Sequence, residues 1–464
     1  MGHHHLSRRK FIGQASCAAL TSTTLFSTLA NLKFMNAASI SNSATLAGGD
    51  YKALVCILLS GGSDSHNMLI PTDTNQYNHY QTTRSSVAIP LNQINQLNGV
   101  DYGVHPSMTG IQNLFNSGRL SFISNVGTLL QPMVKDEVYQ YEQLLPLGLF
   151  SHSDQIQQWQ TSLPHERSSI GWGGKIADLL SAENSNDKIS LNISLNGSNI
   201  FQTGRNTVEY SLDTEDGAIG IYQYRSEDSG DIGQLRDVGV DNIIDANYQD
   251  IFKRTYIDVL KTSRDAYVEF SEALDGAQDF SGIFDDTEVA SQLEMIARTI
   301  SAREELGMKR QIFFLDMTGW DHHDELLNSQ EAMLNELSRA MSQFSTAMDM
   351  MGTQDCVTTF TSSEFGRTLT WNGNGTDHAW GGNVMVMGGP IRGGQIFGQY
   401  PSLELNSEYE LGGGGIMLPT TSVDEYFAEL ALWFGVSRSD LRTIFPNAGN
   451  FFDVDTAMPI GMFK

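Results

Sequence analysis

Apolar residues fall along the chain in short unbroken runs, separated by longer stretches with three- and four-residue periodicity. Val55-Cys56-Ile57-Leu58-Leu59 is continuous, the pattern of a strand buried on both faces. Residues 311–316, 357–361 and 384–387 read as further apolar runs, 120–126 as a strand, and 189–195 alternate as a strand does. The clearest helical pattern spans 324–351, where Leu327, Leu334, Leu337, Met341, Phe344, Met348 and Met351 form one stripe. Further helices are expected over 106–117 and 423–434, with another apolar turn at 441–445. Strands alternating with helices predict an α/β fold, a doubly wound, mostly parallel sheet with helices on both faces. Residues 197–300 are polar and glycine-rich, then helical and acidic. They read as an inserted cap region on a single domain spanning 46–464.

Composition narrows the function classes. The 464 residues are 40% hydrophobic and 18% charged, a globular balance. With 28 basic and 54 acidic residues the formal charge is −26. That excludes non-specific binding to nucleic acid or to anionic lipid, both of which need a basic surface. The charge is uneven, because residues 1–49 hold Arg8, Arg9, Lys10 and Lys33 and no acid. Ser7-Arg8-Arg9-Lys10-Phe11-Ile12 followed by a weakly apolar stretch, 15–32, resembles a twin-arginine export signal. That stretch is too polar for a membrane span. The expectation is a signal segment over 1–45, the twin-arginine translocase as a partner during export, a periplasmic or secreted protein, and no stable membrane span once the signal is removed. Cys56 and Cys356 lie in apolar runs and read as buried small hydrophobes, with a single disulfide as the other reading.

In parallel α/β sheets ligands bind beyond the carboxyl ends of the strands, so the residues following each run carry the candidate chemistry. Asp64 follows the first run, Asp321 and His323 follow the run at 312–315, and Glu364 and Arg367 follow the run at 357–361. Asp377-His378 sits in a loop rich in Gly and Asn. Mixed Asp/His sets suit a divalent metal, whether zinc, manganese, magnesium or calcium. The expected metal ligands are therefore Asp64, Asp321, His323, Asp377 and His378. Ser151 beside His152 is either a nucleophile next to its base or a helix cap, and Ser153 shares both readings. Arg367 either holds an oxyanion or pairs with Glu364. No phosphate loop, no Gly-x-Gly-x-x-Gly fingerprint and no Gly-x-Ser-x-Gly elbow is present. The absence of Cys-x-Pro-x-Arg and Ser-x-Pro-x-Arg disfavours a formylglycine sulfatase.

In order, the chain shows the twin-arginine signal, Leu59-Ser60-Gly61-Gly62-Ser63-Asp64, Val104-His105-Pro106, Phe150-Ser151-His152-Ser153-Asp154-Gln155, Gly319-Trp320-Asp321-His322-His323, Ser363-Glu364-Phe365-Gly366-Arg367-Thr368, Gly375-Thr376-Asp377-His378, Met387-Gly388-Gly389 and Pro419-Thr420-Thr421-Ser422-Val423-Asp424. This combination resembles the exported bacterial domain-of-unknown-function family 1501, which is grouped with the alkaline phosphatase and sulfatase superfamily. The resemblance implies an alkaline-phosphatase-like sheet with a metal site at the strand ends. It also implies a role for Asp64 as the acid after the first strand, and for Asp321 with His323 as an Asp/His group. Two placements of the remainder compete. Asp377-His378 forms the Asp-His pair, or Glu364 takes its place and His378 is the late histidine. The implied activity is a metal-dependent hydrolase of phosphate or sulfate esters, with a small-molecule or glycan ester as substrate. The other reading is a non-catalytic exported protein that keeps the fold and binds a glycan or surface partner.

Overall fold

The computed structural model describes residues 50–464 apart from 216, 221–223 and 225–229; the export signal read at 1–45 lies outside the described residues. Seven strands carry the main sheet: β1 (Lys52–Ser60), β2 (Leu120–Gly127), β3 (Asn192–Ser194), β4 (Tyr210–Asp213), β5 (Arg310–Thr318), β6 (Val357–Ser363) and β7 (Gly382–Gly388). They lie in the order β2-β7-β6-β1-β5-β3-β4, with two-residue strands adding to the ends. β1 pairs in parallel with β5 and with β6, and β5-β3-β4 continue in parallel. The unbroken apolar run of β1 is explained by its central place. Ala53, Val55, Ile57 and Leu59 enter one core, and Leu54, Cys56 and Leu58 enter the other.

Helices Thr109–Asn116, Glu288–Ser301 and Leu326–Met351 cover the first face. Helices Trp172–Leu180, Val423–Phe434 and Arg438–Ile444 cover the second. The fold is thus a mixed α/β architecture with a large central sheet flanked by helices. Ser422 and Glu425 form the capping box that starts the helix Val423–Phe434, and Gly435 ends it.

Three sequence expectations change. The strand at 382–388 runs antiparallel to both neighbours, β6 and β2, because an unbroken apolar run reports burial on two faces and not direction. The alternation at 189–195 yields only three residues of strand, Asn192–Ser194. In the long helix Leu327 is 39% exposed, and Leu326 takes the buried place at the start of the stripe. Cys56 and Cys356 are buried and free, so no disulfide joins them. Within 197–300 the two ends join the body of the fold. β4 extends the sheet and Glu288–Ser301 packs in the first core. Helices Gly230–Ile244 and Ile251–Asp275 lie between them.

Candidate metal centre

Register places three strand ends side by side. Ser60 pairs with Thr318 and Leu59 with Ser363, so β1, β5 and β6 release their following loops at one edge. The loops pack closely. A Cβ on Gly61, whose φ is +118°, would lie 2.5 Å from Asp321 N, and only glycine fits both the backbone angle and the space. Arg367 ties the loops together. It is fully buried and donates to Gly61 O (2.6 Å), Gly62 O (2.9 Å) and Thr376 O (2.9 Å), and it forms an ion pair with Asp321.

Three side chains converge on this edge. Ligand atoms of His152, Asp321 and His378 all lie within 4.8 Å of one another. His152 Nε2 is 3.5 Å from Asp321 Oδ2, and His378 Nε2 is 3.4 Å from Asp321 Oδ1. His323 joins them, its Nε2 3.1 Å from Asp321 Oδ1 and 2.9 Å from His378 Nε2.

Each imidazole is aimed by a partner on its far nitrogen. Glu364 meets His152 Nδ1, while its other oxygen accepts from Gly61 N at 2.8 Å. Asp377 lies 3.2 Å from His323 Nδ1. His378 Nδ1 donates to Phe150 O at 2.8 Å. Phe150 holds φ at +74°, a strained value for an aromatic residue, and this turn is the one that delivers its carbonyl and then His152 to the site. The Phe365 ring lies against both His378 and His152, with centroid separations of 4.6 and 5.0 Å. Carboxylate or carbonyl partners behind imidazoles fix tautomer and orientation in metal sites.

Electrostatics favours a cation. Burial pushes the Asp321 carboxyl up, but the Arg367 hydrogen bond and charge, with His323 and His152 behind, outweigh it and hold the group below the usual carboxylate range. Burial lowers His378, and Arg367 and His152 add to that against the opposing Phe150 bond and Asp321 charge. The acid is thus ionised and that imidazole neutral near pH 7, the states that bind a metal.

The sequence-predicted residues divide. Asp321, His323 and His378 come together, and His152 stands among them as a donor, not only beside a serine. Asp377 and Glu364 stand behind imidazoles. Asp64 is not among the converging ligand atoms; it is held in a fully buried ion pair with Arg84 at 2.7 Å, so one of its oxygens is engaged by a guanidinium. Desolvation pushes its carboxyl up, but the Arg84 charge and hydrogen bond, with His66 and Arg367 behind them, together hold it low. Nothing in the sequence marked Arg84, the last residue of a polar helix, Thr74–Arg84. Arg367 spends its donors on carbonyls and Asp321, which leaves it as the anchor of Asp321 in place of an oxyanion clamp. Ser151 occupies the N-cap position of His152–Thr161 but makes no capping bond with its side chain. Its hydroxyl is bonded instead to Ser153 Oγ at 3.2 Å. Asp316, at the same edge, is pushed up to about 6 by burial and then by repulsion from Glu364.

The family model described as "Protein of unknown function (DUF1501)" matches residues 51–411. The chain belongs to this family. Among curated proteins none matches. Among solved structures, that of Ps i-CgsB in complex with k-i-k-neocarrahexaose is 11% identical, with 86% of this chain and 78% of that chain covered at a TM-score of 0.34. Alkaline phosphatase from the Antarctic bacterium TAB5 is also 11% identical, with 75% and 94% covered at 0.28. An alkaline phosphatase PafA mutant is 12% identical, with 70% and 64% covered at 0.24.

Proposed function

We propose that this DUF1501 chain is an exported metal-dependent hydrolase of phosphate or sulfate esters, a single domain over 46–464 preceded by a signal segment. One observation carries the reading: His152, Asp321 and His378 present ligand atoms within 4.8 Å of one another at the carboxyl ends of the parallel strands β1, β5 and β6. Two imidazoles and a carboxylate, with a third imidazole adjacent, suit zinc or manganese better than the all-oxygen preference of magnesium or calcium. When bound, such an ion polarises an ester oxygen and lowers the pKa of water. The chain's own residues do the rest. Glu364 locks His152, Arg367 locks Asp321, and Phe150 O locks His378. His323, backed by Asp377 and 44% exposed at its side chain, stands on the open side and can carry a proton to or from a leaving group. No described helix is long and apolar enough to cross a membrane.

The test is hydrolysis of aryl phosphate and aryl sulfate esters by protein dialysed against chelator and then reloaded with zinc or manganese. The proposal expects turnover that appears with metal and is lost in Asp321→Asn. Retained metal with no turnover of either ester class would remove the hydrolase reading and leave an exported binding protein.

A further inference from the structure

A groove of about 690 Å³ opens between the helix Thr74–Arg84 and the segments that carry Trp371 and Leu405. Its walls are Asn78, Thr82 and Thr83 from the helix Thr74–Arg84 on one side, and Trp371 and Leu405 on the other. His79 and Glu404, 3.2 Å apart, lie across it. We propose that this groove is a subsite for a neutral glycan chain, with the Trp371 indole as its stacking platform.

Four observations carry this. Trp371 is 44% exposed, whereas Trp159, Trp172, Trp320 and Trp380 are at most 2% exposed. A large flat ring left in water beside a groove marks a contact surface. Leu405, on the same wall, is 40% exposed, so the groove offers an apolar plane on one side. The other wall offers amide and hydroxyl groups, which both donate and accept. A pyranose ring has the matching two-sided character, with C–H faces and a rim of hydroxyls. No lysine or arginine is among the lining residues, and the chain carries a formal charge of −26, so a polyanion would meet repulsion with no counter-charge.

One tight loop links the groove to the metal centre. Asn372, next to Trp371, donates to Asp377 Oδ1 at 2.9 Å, and Asp377 is the partner of His323. Thr370 is pinned to Gly414 O by its amide (2.8 Å) and its hydroxyl (2.9 Å). The chain on either side of the platform is therefore anchored before any ligand arrives, which lowers the ordering cost of binding. Combined with the proposed hydrolysis, the substrate becomes an ester carried on an otherwise neutral glycan. The binding itself does not depend on that reading.

The experiment is calorimetric titration of the full chain with cellohexaose, maltohexaose, mannohexaose and chitohexaose. At least one should bind measurably. Trp371→Ala should weaken that binding at least tenfold, and Trp371→Phe, which keeps an aromatic face, should stay within about threefold of wild type, in line with what a single stacking contact contributes. Thermal melting of each variant checks folding, and Asp321→Asn should bind the glycan as wild type does. Wild type that binds none of the four, or Trp371→Ala that binds unchanged, overturns the proposal, as does Trp371→Phe that loses as much as Ala. Glycan binding without ester turnover would sink the hydrolase and leave the groove standing, and aryl ester turnover without glycan binding would do the reverse.

Discussion

The Nε2 atoms of His323 and His378 face each other at 2.9 Å, although the second nitrogen of each ring is already committed. A carbonyl can only accept, so the bond to Phe150 O puts the His378 proton on Nδ1. The Asp377 carboxylate does the same for His323. Two neutral rings in those tautomers aim lone pairs at each other. That arrangement is repulsive unless a cation or a shared proton lies between them. A cation bound between them relieves that repulsion, so zinc should raise the melting temperature of the wild type and do far less for His378→Ala. Thermal melting with and without zinc measures this; equal gains in the two proteins would show that the pair does not hold the ion.

Glu364 has a role separable from folding. Glu364→Gln keeps an oxygen for Gly61 N but loses the charge behind His152. Zinc affinity should fall about 10–100-fold, the usual effect of removing a partner behind a metal-binding histidine. The melting temperature of the metal-free variant should stay close to wild type. Calorimetric titration and thermal melting check the two halves, and unchanged affinity would show that His152 needs no such support.

The buried pair Asp64–Arg84 should behave as structure. Arg84→Met leaves a carboxylate inside the protein with no countercharge, and should cost about 3–5 kcal/mol in a denaturant titration. Asp64→Asn should change zinc affinity far less than Asp321→Asn does. Equal losses from the two would return Asp64 to the metal site.

The central strands and the long helices were legible in the sequence, because burial on two faces leaves an unbroken apolar run and burial on one leaves a stripe. The helix at 423–434 was readable at both ends, since Ser422 with Glu425 and then Gly435 are local signals. The antiparallel sense of β7 was not readable, because pairing direction leaves no mark in composition. At the site, the residue types following each strand pointed to the right edge. They could not say that Arg84 would reach Asp64 across 20 positions, or that a backbone carbonyl, Phe150 O, would orient His378. Both depend on loops meeting in space.

Asp424 gives a pH prediction. It is fully buried in the helix Val423–Phe434, and burial pushes its carboxyl up to about 8 from an ordinary 3.8. The folded state then holds a proton that the unfolded chain gives up. Stability from this group is fully present below about pH 4 and is lost as pH rises toward 8. Asp424→Asn removes the titration, so its melting temperature should gain on wild type from pH 5 to about pH 8 and level off above that. A difference that stays flat over that range would place the folded pKa near its ordinary value.

The most direct test of the account is an anomalous difference map from a zinc-soaked crystal of the full chain. The account expects one strong peak, about 2.0–2.2 Å from His152 Nε2, His378 Nε2 and an oxygen of Asp321. No peak at these three residues, or zinc held by Asp64 instead, would contradict it.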